Sequence, residues 1–145
     1  MAIVEISPSP VLQMVDAVTV PVPDLDQGLA FYRDRLGHGL IRRNDEVGQA
    51  GLRLPDSQPE IVLSQSLPYA VNWLVTSVSD AVATIVAACG FLLVEPHAIA
   101  VGRLAIVADP FGNSLILLDL SHGRYAVDDT GQVTGLEAIH IADRR

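Results

Sequence analysis

One half of this chain repeats the other. An offset of 53 residues superposes Val22 on Val75, Leu25 on Val78, Leu29 on Val82 and Gly37 on Gly90 without a gap. In the first copy, residues 15–22 (VDAVTVPV) are rich in β-branched side chains and read as a strand whose prolines suit an edge or a strand end. Pro23-Asp24 then supplies an N-cap carboxylate, and Leu25, Leu29, Tyr32 and Leu36 recur at the spacing of one helical face before Gly37 ends it. Three short apolar runs follow, around Leu40-Ile41, 51–54 and 61–63, separated by Asn44-Asp45, Pro55-Asp56-Ser57 and Pro59, so three strands are expected. The second copy has the same order. VNWLVT (71–76) is a strand, Ser77 an N-cap, Val78, Val82, Ile85, Val86 and Cys89 a helical stripe, Gly90 its stop, and 91–95, 103–108 and 114–120 are three more strands. Solenoids and propellers need more than two copies to bury a continuous core. The repeat therefore predicts an α+β fold: two tandem βαβββ modules, 14–68 and 69–121, whose sheets join into one curved mixed sheet shaped as a cup. Residues 1–13 form an extension, 122–145 a tail, and the whole is one pseudo-symmetric domain.

The 145 residues suffice for a single core without disulfides or a structural metal. With 50% hydrophobic and 18% charged residues the chain is not a disordered one. A net charge of −8 repels phosphate backbones and anionic membranes, Arg42-Arg43 and Arg144-Arg145 are too short to override it, and 5% aromatics offer little for base stacking. No nucleic-acid or membrane partner is expected. The single cysteine, Cys89, lies in an apolar run and reads as a buried, inert thiol. The first 15 residues lack the basic start and unbroken apolar centre of a secretory signal, and the longest apolar stretch, 14 residues interrupted by Gly90, is short of a membrane span. A cytoplasmic protein is expected.

VDAVTVPVPDLDQGLAFYRDRLG resembles the opening strand and helix of the vicinal oxygen chelate superfamily, which includes glyoxalase I, extradiol dioxygenases and bleomycin-resistance proteins. VADPFGNSLILLDL is similar to that superfamily's closing hairpin and last strand. The resemblance covers about residues 14–121 and implies the glyoxalase-like fold. In metal-dependent members, a His on the first strand of each module and a Glu, Gln or similar ligand on the last strand of each converge on a divalent cation. Carried onto this chain, those positions fall at Ala17, Ala70, Val62 and Ile116. None of the four has a lone pair to offer a cation. No His occurs in either first strand, and Glu60 and Asn72 are the nearest donors. No metal or other cofactor is expected.

The remaining motifs read as structure. His38, His97, His122 and His140 match no ligand spacing, with His97 expected in a loop after Pro96, and one Glu137-x-x-His140 pair does not make a di-iron site. Asp109-Pro110-Phe111-Gly112-Asn113 is turn chemistry, and Gly48, Gly51, Gly102 and Gly112 form no phosphate loop. Trp73 is expected in the core under the second helix. The tail, with Leu136, Ile139 and Ile141, is expected to contain a short element whose docking place is open.

Alternation along the strands turns Val15, Ala17, Thr19, Ala70 and Asn72 to the concave face, with Glu60, Val62 and Ser64 on the adjoining wall. Together with Ile116 these positions define a mainly apolar pocket for a small organic ligand, in which Glu60 and the net charge favour cationic molecules. Two functions are carried forward. The first is a metal-free small-molecule-binding protein of the glyoxalase/bleomycin-resistance type that sequesters an antibiotic or other organic ligand, with no catalytic residues and no glyoxalase or extradiol dioxygenase activity. The alternative is a lyase, isomerase or dioxygenase-like enzyme that uses non-standard metal ligands or acid/base residues such as Glu60 or His97. A collapsed cup that serves only as an interaction partner is a third. The resemblance also implies a homodimer, since members commonly pair about a two-fold axis.

Overall fold

A computed structural model describes residues 10–137. Its strands in chain order are β1 (Met14–Pro21), β2 (Leu40–Asn44), β3 (Gln49–Leu52), β4 (Glu60–Ser64), β5 (Ala70–Leu74), β6 (Phe91–Ile99), β7 (Gly102–Ala108) and β8 (Ser114–Asp119). They form one mixed eight-stranded sheet ordered β2-β3-β4-β1-β5-β8-β7-β6. Read outward from the β1–β5 seam, the order is the same on both sides, as two copies of one βαβββ unit require. β1 pairs in parallel with β4, and β5 in parallel with β8, while β1 and β5 run antiparallel with Val18 opposite Val71. Those two valines are separated by the repeat offset itself, so the pseudo-two-fold axis passes between them. The curved mixed sheet expected from the repeat is present.

The helices cover the outer face of the sheet. α1 (Leu25–Leu29) starts at Asp24, whose carboxylate accepts the Gln27 N–H at 2.8 Å, and buries Leu25 and Leu29 against Ala50, Leu52 and Leu63. α2 (Val78–Ala87) starts at Ser77, whose hydroxyl accepts the Asp80 N–H at 3.2 Å. It buries Val78, Ala81 and Val82 against Ala105, Val107 and Leu117, and Trp73 packs onto the same cluster as expected. Burying these stripes is what holds the helices to the sheet, at roughly 25 cal/mol for each Å² of apolar surface removed from water.

Three local expectations are corrected. The stripe of the first helix does not reach Leu36, which is 51% exposed. From Ala30 to Arg35 the helix widens to π geometry, and the Leu36 N–H donates to the Phe31 carbonyl five residues back, so each residue turns through a smaller angle and Leu36 misses the buried face. Cys89 is exposed rather than buried, because α2 ends at Ala87 and Cys89 takes the left-handed terminating conformation at φ 74°. Gly90 is required there for space: a Cβ would stand 2.5 Å from Ile85 Cγ2 and 2.9 Å from the carbonyl oxygens of Ile85 and Ala108. His97 lies within β6 rather than in a loop. β6 is an edge strand with irregular pairing between Leu92 and Val94 and between Val94 and His97, where the missing N–H of Pro96 is tolerated.

The tail contains two strands, β9 (Arg124–Val127) and β10 (Val133–Glu137), paired as a hairpin. Its turn is pinned by the Asp128 carboxylate, which accepts from the N–H and hydroxyl of Thr130 and from the N–H of Gln132. The hairpin leans on β2, where the Arg43 N–H donates to the Gly131 carbonyl at 2.7 Å. Ile139, His140 and Ile141 lie outside the described residues. Among the described residues no helix is long and apolar enough to cross a membrane.

Candidate active site

The inner face of the sheet is built by strand alternation. On β4, Ile61 and Leu63 pack with α1, which leaves Glu60, Val62 and Ser64 for the concave side. Register places Thr19 beside Val62 and Ala70, and Asn72 beside Ala17 and Ile116. The Thr19 hydroxyl donates to the Asn72 side-chain carbonyl at 2.7 Å in a buried bond between two residues that are equivalent in the repeat. Ala17, Val62, Ala70 and Ile116 therefore meet at the centre of the inner face, around this bond. Methyl and branched aliphatic groups cannot ligate a cation. Among the described residues no group of three His, Cys, Asp or Glu is placed to do so either. The donor set does not fit the divalent metal of the superfamily's metal-dependent members.

Above this floor opens a cavity of about 630 Å³. Of the nine residues singled out in the sequence, Glu60, Val62 and Asn72 line it, while Val15 borders a neighbouring smaller hollow instead. The structure places Ala17, Thr19, Ser64, Ala70 and Ile116 in the layer beneath, all nearly inaccessible. Ala70 and Ile116 pack with Leu104 and Ile106, and the Ser64 hydroxyl accepts the N–H groups of Ser66 and Leu67, shaping the turn out of β4. One wall of the cavity is apolar, with Ile99, Val101, Leu104 and Leu118, and the facing wall carries Asp16, Arg42, Glu60 and Arg124. Asp16, Glu60 and Arg124 also border a second, smaller hollow of about 230 Å³, so they stand between two open spaces.

Asp16 is the residue that simple alternation misses. Strict period-two geometry sends it to the face opposite Ala17. Relative to β5, however, β1 carries one extra residue between Val15 and Ala17, and this bulge re-aims Asp16 into the cup. A carboxylate set in an otherwise apolar strand was the available signal. Arg42 comes from β2, where a similar register shift follows Leu40, and Arg124 and Tyr125 come from the tail hairpin.

The charges are paired across the wall. Arg42 forms a close ion pair with Glu60, and Arg124 Nη1 stands 3.5 Å from Asp16 Oδ1. Burial works against the charge on Arg42, but the neighbouring Glu60 and Asp16 outweigh it and hold its proton more firmly than in a free arginine. The Asp16 carboxyl is pushed above the usual aspartate range, first by burial and further by Glu60, against the pull of Arg124 and Arg42. Arg42 also sits over the Tyr125 ring, 5.9 Å from its centre. At the far rim, His97 lines the cavity with its Nδ1 3.0 Å from the Glu95 carbonyl oxygen. A largely buried carboxyl with raised proton affinity, beside a second carboxylate paired with an arginine, is an arrangement that can take up and return a proton inside a largely apolar cavity.

The family profile of the Glyoxalase/Bleomycin resistance protein/Dioxygenase superfamily matches residues 14–117. The chain belongs to this superfamily. Among solved structures, methylmalonyl-CoA epimerase from Mycobacterium tuberculosis superposes with a TM-score of 0.60 at 20% identity, over 79% of this chain and 92% of that one. A variant of Streptomyces coelicolor methylmalonyl-CoA epimerase in complex with 2-nitronate-propionyl-CoA gives 0.59 at 20% identity over 74% and 97%. A hypothetical protein from Bacillus halodurans C-125 gives 0.58 at 15% identity over 80% and 98%. At these identities the likeness is one of fold. No curated protein sequence matches the chain.

Proposed function

We propose that this superfamily member is a metal-independent proton-transfer enzyme of the isomerase or lyase kind, acting on a small organic molecule held in the cup. The observation that carries the reading is the Asp16 carboxyl: bulged into the cavity, raised in proton affinity and set beside the Arg42–Glu60 ion pair. Asp16 exchanges the proton with substrate carbon, Glu60 is engaged by Arg42, and the apolar wall holds the substrate body. Two superposing structures bear the name of an epimerase, an enzyme that inverts a carbon centre, which lends support to the same class. The cavity lining carries Asp16, Glu46, Glu60 and Glu137 against Arg42 and Arg124, and both arginines are engaged. Neutral or cationic substrates are favoured over anionic ones, so the acyl-CoA named for those structures is not carried over. Sequestration without chemistry, the first reading from the sequence, leaves the raised carboxyl without a task.

The test is isotope exchange. Small neutral and cationic ketones, aldehydes and thioesters are incubated with the protein in heavy water, and loss of the C–H signal is followed by proton NMR. Exchange is expected for at least one class, falling about 100-fold or more in Asp16→Asn. Exchange that persists in Asp16→Asn, or its absence across the panel, overturns the reading.

The same proposal includes a homodimer in the cytoplasm. Phe91, Leu92, Leu93 and Val94 follow one another on edge strand β6, each between 40% and 60% exposed, with one backbone edge unpaired among the described residues. A second β6 antiparallel to the first covers that edge and sets its apolar side chains beside their own copies, with Leu93 on the axis and Pro96 just beyond the paired segment.

A further inference from the structure

We propose that the β9–β10 hairpin is the positioning element of the proton-transfer pair, with Arg124 holding Asp16 and Tyr125 holding Arg42 on Glu60. This rests on the acid/base reading above and adds to it the element that gives two neighbouring carboxylates separate tasks.

The superfamily profile matches residues 14–117 and the hairpin begins at Arg124, so its side chains lie outside the matched stretch. The hairpin is seated independently of the carboxylates. Asp128 pins the turn, the Gly131 carbonyl receives the Arg43 N–H, and Gly131 has φ 86° with Leu40 Cδ2 only 3.1 Å from where a Cβ would stand. The Arg43–Gly131 bond fixes the turn one residue from Arg42. From this seat, Tyr125 beds on the cluster of Leu74, Val101, Leu118 and Leu120 and presents its ring to Arg42. Arg124 reaches across to Asp16.

The charged groups around Asp16 come from three other elements: Glu60 on β4, Arg42 on β2 and Arg124 on β9. Arg42 is committed to Glu60 by their close ion pair, which leaves Arg124 as the cation that answers to Asp16. Two carboxyls with no such division share a proton between them. With it, Glu60 is held by Arg42 and Asp16 becomes the carrier.

The full chain, labelled with carbon-13 at aspartate carboxyls, is titrated by NMR as wild type, Arg124→Gln, Arg124→Lys and Tyr125→Leu, with Asp16→Asn to assign the signal. The Asp16 midpoint is expected to rise by about one pH unit in Arg124→Gln and to return close to wild type in Arg124→Lys. Tyr125→Leu is expected to speed solvent exchange of the Arg42 guanidinium protons several-fold. An Asp16 midpoint unmoved by Arg124→Gln, or moved equally by Arg124→Lys, overturns the proposal. The Arg124 side chain is 40% exposed, so the fold is expected to survive its replacement; a variant that unfolds makes the hairpin structural and also overturns it. A failed titration sinks the role of the hairpin alone, whereas isotope exchange surviving in Asp16→Asn sinks the acid/base reading.

Discussion

A carboxylate inside a strand of a largely apolar sheet is costly unless it is turned toward partners, and at Asp16 the turn is made by one extra backbone residue opposite β5. The cost that remains has a sign. Burial favours the protonated form, so between the usual aspartate value of 3.8 and the raised value the folded chain binds more protons than the unfolded one. Stability is therefore lost as pH rises through that window. Asp16→Asn removes the loss, and its melting temperature relative to wild type is expected to be higher at about pH 7 than at about pH 3; a difference constant with pH contradicts this. The Thr19–Asn72 bond at the seam has a different role. Thr19→Val strips the Asn72 carbonyl of its partner in a buried place and is expected to cost about 1–2 kcal/mol in chemical denaturation, with no change in fold. At this scale the sequence was legible where period two holds, as at Glu60, Val62 and Asn72, and illegible at Asp16, because a bulge leaves no mark in the spacing of apolar residues.

Among the elements, the two helices show how far local rules reach. Both caps, Asp24 and Ser77, stand where the sequence puts them, since an N-cap is satisfied within three residues of itself. Ser77→Ala is expected to lower stability by about 1 kcal/mol. Gly37 ends the first helix as the sequence reads, at φ 86°, but the π turn at Ala30–Arg35 and the left-handed Cys89 one residue before Gly90 depart from the sequence reading. Gly90→Ala tests the end of α2. Its methyl group meets backbone carbonyls that cannot move aside, and a loss of about 2 kcal/mol is expected; a neutral effect in thermal melts argues that α2 shifts freely on the sheet. The tail hairpin was readable as a turn around Asp128 to Gly131, but its docking against β2 rests on an Arg43–Gly131 backbone bond between segments far apart in the chain.

For the whole molecule, the unpaired edge at β6 sets the expectation about assembly. Sedimentation at micromolar concentration is expected to give twice the mass of one chain, and Leu93→Lys to give that of one, because a charge at the centre of the paired segment is buried against its own copy. A wild-type monomer, or a Leu93→Lys dimer, refutes pairing through this edge. By itself the sequence determined the two βαβββ units, their α+β class and the curved mixed sheet, because each follows from period, capping and turn chemistry repeated at a fixed offset, whereas the positions that would hold a metal were placed only by the family resemblance. Tertiary structure alone decided which polar groups share the cup. Asp16 from a bulge, Arg42 from the far edge of the first module and Arg124 from the tail are separated by up to about a hundred residues of chain. No local period relates them, and only the closure of the sheet and the seating of the hairpin bring their charges within reach of one another.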